Sequence, residues 1–147
     1  QGMMPRVHSL IGELIQQIEQ RDPPLKVRIF VASDVPQGVA DVQRKWGARV
    51  LPLRKMDVAH HLSRVASGKR AMGPSKWRDL VADTVADWFL LALSDVLIQP
   101  MRSSNSDTAA ALGMQDCRFL RSHWGAPAIS SALKAQCVEA VLKAFSA

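Results

Sequence analysis

The feature that most constrains this chain is a repeated change of hydrophobic period. Val7, Leu10, Ile11, Leu14, Ile15 and Ile18 recur at three- and four-residue spacing, which places them on one face of a helix. Asp22-Pro23-Pro24 ends that stripe, because proline lacks a backbone donor and restricts the residue before it. Val27-Arg28-Ile29-Phe30-Val31-Ala32 follows as a short run rich in β-branched residues and predicts a buried strand. Ser33-Asp34-Val35-Pro36 is a turn and helix start, and Val39, Val42 and Trp46 then mark an amphipathic helix ending at Gly47. Arg49-Val50-Leu51 predicts a second, shorter strand. From Ser75 to Leu93 the period is helical again, with Trp77, Leu80, Val81, Val85, Trp88, Phe89 and Ala92 on a broad apolar face. Asp95-Val96-Leu97-Ile98-Gln99 predicts a third strand, and Asp107 to Leu112 an alanine-rich helix ended by Gly113. Arg118-Phe119-Leu120 is a candidate fourth strand. Ile129 to Phe145 is a last helix, with Leu133, Val138, Val141 and Leu142 on its inner side.

Helix and strand in alternation predict a parallel sheet covered on both faces. The expectation is one α/β domain over residues 1–147, a doubly wound, Rossmann-like parallel sheet of three to four strands with helices on both sides. At 147 residues, 48% apolar and 22% charged, the chain can bury a core without disulfide or metal. The apolar run at Trp88–Leu93 is too short to span a bilayer. Nothing at the amino end reads as a signal peptide, and the opening Gln1 fits a processed or truncated piece. Residues 52–75, with His60-His61, Gly68-Lys69-Arg70 and Gly73-Pro74, read as a long surface loop of the kind that is functional or mobile.

Nineteen basic against thirteen acidic residues give a formal charge of +6, an excess that attracts phosphates of any kind without naming a partner. The charge is dispersed over Arg44-Lys45, Arg54-Lys55, Lys69-Arg70, Lys76, Arg78, Arg118 and Arg121, and no basic run carries interleaved aromatics. That pattern argues against nucleic acid. Cys117 and Cys137 could close one loop in an oxidising compartment or remain two buried thiols in a reducing one. Neither lies in a CxxC, and His8, His60, His61 and His123 lack metal-ligand spacing, so no metal is expected. The chain has no GxGxxG after the first strand and no GxxxxGK[ST], which weighs against NAD-dependent dehydrogenases and P-loop NTPases.

In doubly wound sheets ligands sit beyond the carboxyl ends of the strands, which directs attention to two turns. Ser103-Ser104-Asn105-Ser106 precedes a helix after the third strand. Hydroxyls and unpaired first-turn amides, with Arg102 beside them, would cradle a phosphate; the plainer alternative is that one serine is only an N-cap. Asp34, after the first strand, either caps the next helix or points into the ligand crevice. Asp87 belongs on the exposed side or edge of its helix, as an acceptor for a nucleobase edge or as a solvated carboxylate. The tryptophans mostly continue helical stripes, with Trp124 beside Gly125 the exception.

Two stretches go beyond composition. Asp83-Thr84-Val85-Ala86-Asp87-Trp88-Phe89-Leu90-Leu91-Ala92-Leu93-Ser94-Asp95-Val96-Leu97-Ile98, followed by Ser103-Ser104-Asn105-Ser106-Asp107-Thr108-Ala109-Ala110, resembles the carboxy-terminal half of fucosyltransferase-like glycosyltransferases. Those families include the plant xyloglucan and protein O-fucosyltransferase types. Ile29-Phe30-Val31-Ala32-Ser33-Asp34, with its amphipathic helix and Trp46-Gly47 ending, is similar to an earlier strand and turn of the same half. The matching segments span about residues 7–113. The resemblance implies the GDP-fucose-binding half of a two-domain GT-B architecture, inverting and metal-independent, with no cofactor besides the donor substrate. It would match Asp87 to the acidic residue that recognises guanine and Asp34 to the one after the first strand. Ser103 and Ser104, with Ser106 as a third, would match the serines at the diphosphate.

Asn105 stands where the family has an aromatic residue, and Pro100-Met101-Arg102 leaves the serine register open by one residue. Arg6 or His8 lies near the place of the family's basic residue for the leaving diphosphate, though neither sits in a motif. The family's amino-terminal acceptor domain has no counterpart here, so the expectation is a half that works with a missing domain or partner chain in the Golgi or endoplasmic reticulum lumen. The alternative is a non-catalytic structural or interaction module derived from the same fold. Asp87 and Ser103–Ser106 are what such a module could lose without unfolding.

Overall fold

The computed structural model describes residues 3–33, 36–51, 73–99, 104–113, 117–119 and 129–146. Along the chain these form α1 (Met3–Arg21), α2 (Pro36–Trp46), a 3-10 turn (Gly47–Arg49), α3 (Pro74–Ala92), β1 (Leu97–Ile98), α4 (Ser104–Leu112), β2 (Arg118–Phe119) and α5 (Ser131–Phe145). The chain divides into two compact units, one of Gln1–Val27 with Leu91–Ala147 and one of Arg28–Leu90.

In the first unit the apolar stripe of α1 is buried in full, from Val7 through Leu10, Ile11, Leu14 and Ile15 to Ile18. Burying a side chain of that size contributes about 2 kcal/mol. Pro5 is tolerated because a first-turn residue has no intrahelical N–H bond to lose. After Arg21 the chain turns on Asp22-Pro23-Pro24, with the Leu25 amide donating to the Asp22 carbonyl at 3.0 Å. The Val27 amide donates back to Glu19 Oε1 at 3.0 Å, which fixes the exit from α1.

Helix α5 packs against α1, burying Cys137, Val138 and Val141. Lys134 Nζ meets Glu13 Oε2 at 2.5 Å, and Arg21 pairs with Glu139. Both partners advance along their helices together, from 13 to 21 and from 134 to 139, so α1 and α5 run in the same direction. Strands β1 and β2 pair in parallel, Leu97 with Arg118 and Ile98 with Phe119, and α4 is the crossover between them. Ala109 and Ala110 of α4 are buried, small side chains where a helix must come close to its neighbours.

Cys117 and Cys137 form a disulfide, with Cα atoms 4.9 Å apart, that ties the start of β2 to α5. The sequence left a bridge and two thiols both open; the bridge is the outcome. It closes a loop over a separation of 20 residues, and by the chain-entropy account such a loop stabilises by about 3 kcal/mol.

In the second unit, α2 ends on Gly47, whose φ of +45° is a left-handed turn that glycine adopts at little cost. The chain then returns so that Val50 bridges Ile29 in parallel, with the Ile29 amide donating to the Arg49 carbonyl and the Leu51 amide to the Ile29 carbonyl, both at 2.9 Å. The Arg28 guanidinium donates to the Ala48 carbonyl at 2.6 Å. The unit's sequence ends within helix α3 at Leu90; past that point the Ser94 hydroxyl donates to the Leu91 carbonyl at 2.7 Å and caps the end of the helix.

The doubly wound, Rossmann-like parallel sheet of three to four strands is therefore not what forms. The described residues are mostly helical, with one two-stranded sheet of two-residue strands and a single isolated bridge. The four β-rich segments do supply the pairing residues, but proline limits them: Pro52 follows Leu51 and Pro100 follows Gln99, and neither can donate to a ladder. Asp95 and Arg28 are exposed, whereas strands of a parallel sheet covered on both faces read as continuous apolar runs. The expected loop at 52–75 lies outside the described residues apart from its last three positions.

Candidate functional site

The segment that carries the predicted phosphate cradle is β1–α4–β2. Its frame is made by backbone bonds: the Leu97 amide donates to the Cys117 carbonyl at 3.1 Å and the Gln99 amide to the Phe119 carbonyl at 2.9 Å. Phe119 and Cys117 are buried almost completely, and the disulfide anchors this edge to α5. At the carboxyl end of β1, Gln99 is buried to 4% exposure. Its Nε2 donates to Asp107 Oδ1 at 2.9 Å, which ties the strand exit to the start of α4. A buried amide without such a partner would cost about 1–3 kcal/mol.

Helix α4 begins at Ser104, so Ser104, Asn105 and Ser106 form its first turn, where backbone amides lack intrahelical acceptors. The Gly113 amide closes the other end on the Ala109 carbonyl at 2.9 Å. Arg118 Nη1 approaches the Ala110 carbonyl at 3.4 Å. The chemistry available is that of a helix amino end positioned just past a parallel strand, a place that suits an anion.

Of the six residues singled out from sequence, Ser104 and Ser106 have a described backbone, in the first turn of α4, while their side chains lie outside the description. Ser103, Arg102 and Asp34 lie outside the described residues, as do His60, His61, His123 and Trp124. Asp87 is on α3 and half-buried, where the sequence offered either the exposed side or the edge of the helix. Burial, and then the carboxylate of Asp83 one turn earlier, push the Asp87 carboxyl above the usual carboxylate range. Asp87 and the serine segment fall in different units, each described on its own.

Gln99 and Asp107 were not picked out from sequence. The signal was there in Gln99: a polar residue closing an apolar strand immediately before a proline.

A shallow depression of about 550 Å³ lies elsewhere in the same unit, at the carboxyl ends of α1 and α5, lined by Arg21, Asp22, Glu139, Lys143 and Ser146 among others. Of its cations, Arg21 is paired with Glu139. Among the described residues no group of three or more His, Cys, Asp or Glu could hold a metal ion. No helix among them is long and apolar enough to cross a membrane.

No family model, no curated protein and no solved structure matches this chain.

Proposed function

We propose that the chain supplies the diphosphate-binding part of a nucleotide-sugar-dependent glycosyl-transfer site, with a GDP-fucose-like donor. The observation that carries this reading is the parallel β1–α4–β2 crossover, in which the helix after β1 has a serine-rich first turn tied to the strand exit by the bond between Gln99 and Asp107. First-turn amides and hydroxyls would take up charge as it develops on the leaving diphosphate, which is where preorganised donors lower a barrier most. Asp107, the acid within that first turn, is engaged by the Gln99 amide at the strand exit. The acceptor would be held by a further domain or a partner chain. The disulfide supports an oxidising setting, in keeping with the Golgi or endoplasmic reticulum lumen.

A second reading, a non-catalytic interaction module, is favoured by a different observation: α3 leaves Val85, Phe89 and Leu90 exposed.

Calorimetric titration of the full chain with GDP, GDP-fucose, UDP and ADP separates the two. The donor-site reading expects selective GDP binding that weakens about tenfold in Ser104→Ala, the loss of one hydrogen bond to a charged group. Absence of binding by the folded chain overturns it in favour of the module.

A further inference from the structure

Cys117 and Cys137 are each 1% exposed, and with Phe119 and Val138 they are the largest side chains shut off from solvent altogether. Thiol–disulfide exchange needs a thiolate to reach a sulfur atom, so a bridge in this position is reduced only when something around it opens. Its two ends are held very differently. Cys137 lies within α5, which packs on α1 and is tied to it by the Glu13–Lys134 and Arg21–Glu139 pairs. Those helices bury the six-residue stripe of α1 with Val138 and Val141 of α5. Cys117 instead leads into β2, a strand of two residues. The ladder to β1 consists of the Leu97 amide on the Cys117 carbonyl and the Gln99 amide on the Phe119 carbonyl. Cys117 is itself one of these acceptors, so unpairing β2 from β1 releases Cys117. Helix α4 adds little hold: it has nine residues, too few to stand alone, and its buried side chains among the described residues are the alanines at 109 and 110.

We propose that the Cys117–Cys137 bridge is a redox latch on the β1–α4–β2 crossover: a dithiol reaches it through the lifting of β2 alone, while α1 and α5 stay paired. One thiolate of the dithiol attacks a bridge sulfur, forming a mixed disulfide and releasing the other cysteine as a thiolate. The second thiolate of the dithiol then displaces the first cysteine and closes the dithiol into its own disulfide. Two electrons pass to the bridge, and two protein thiols result. With the bridge cut, the loop over a separation of 20 residues is no longer closed, and the open form of the crossover gains about a hundredfold in population relative to the closed one. The redox state thus sets how firmly β2 and α4 are held, inside a unit whose helix pair persists. Every residue in this account belongs to that one unit, and the latch rests on the fold alone, whatever α4 binds.

The rate at which dithiothreitol reduces the full chain, well below its melting temperature and with the freed thiols trapped by alkylation, tests this. Phe119→Leu loosens β2 and is expected to speed reduction about tenfold. Leu14→Ala is the discriminating arm, since the stripe of α1 stays packed while β2 lifts; its rate is expected within about threefold of the parent. Acceleration by Leu14→Ala of about a hundredfold or more overturns the proposal, because the bridge is then reached by unfolding of the whole unit. A rate that Phe119→Leu leaves unchanged overturns it too, because the sulfurs are then reached with β2 in place. Thermal melting of each oxidised variant shows that it is folded at the assay temperature. Should Leu14→Ala not be, Ile18→Val takes its place: about fivefold acceleration marks the unfolding route and overturns the latch, and an unchanged rate supports it.

Discussion

Helices α1 and α3 are both 19 residues long, yet one gathers its apolar residues into a single buried stripe and the other does not. Six apolar side chains of α1 form a single buried stripe, and its polar side carries Glu13 and Arg21 to ion pairs with α5. On α3 the apolar residues run round the helix, and Val85, Phe89 and Leu90 face outward. Length and apolar content do not decide whether a helix is satisfied; what decides is whether the apolar residues fit within one stripe. A surplus outside the stripe is a demand for something else.

That comparison can be broken at several points. The largest effect is expected from Leu14→Ala in α1, which leaves a cavity in the stripe and costs about 3–4 kcal/mol of unfolding free energy. Phe89→Ala, measured by denaturant unfolding, should cost under about 1 kcal/mol, the worth of its edge contact with Trp88. Equal losses would dissolve the distinction. Replacing both bridge cysteines by alanine is expected to cost about 3 kcal/mol, read as a lower melting temperature that matches the parent chain under reductant.

Smaller effects come from two carboxylates that titrate with opposite sign. The hydrogen bond from Lys134 holds the Glu13 carboxyl below its usual range, outweighing the opposing effect of burial. Its contribution is present above the unfolded-state value and is lost as pH falls through the lower folded one. Glu13→Gln should therefore cost about 0.5–1 kcal/mol at neutral pH and nothing in strong acid. Asp87 is raised instead, by burial and by Asp83, so the fold favours its protonated form and loses that advantage as pH rises through the folded value. Asp87→Asn is expected to give the smallest change, a slight gain in melting temperature at neutral pH that disappears on acidification. A loss at neutral pH would mean that the carboxylate has a favourable partner.

The helices were legible because a helical stripe is local. Val7 to Ile18, Val39 to Trp46 and the segment ended by Gly113 all form helices where the spacing places them. Strand position was legible too, since Ile29, Val50, Leu97 and Phe119 all pair. Strand extent was not, because pairing depends on distant partners and on the prolines that cut the ladder short. The direction of α3 was only half legible: Val85 and Phe89, read as inward with Trp88, are exposed. A helix with apolar residues on every side offers no periodicity from which to choose a face. The Cys117–Cys137 bridge could not be chosen over two thiols, since nothing in a separation of 20 residues fixes proximity in space. At the candidate site a helix after β1 was legible, but its start was not: the serines were read as leading into a helix from Asp107, whereas Ser104 to Ser106 are already helical, and the Gln99–Asp107 bond, joining residues eight apart across a turn, was not legible either.

The proposed function rests on the first turn of α4, and hydrogen exchange of the full chain with and without saturating GDP tests it most directly. The account predicts slower exchange of the amides of residues 104–107 when GDP is bound, with α1 unchanged. Unaltered exchange across α4, or protection gathered instead around Arg21 and Lys143, would contradict it.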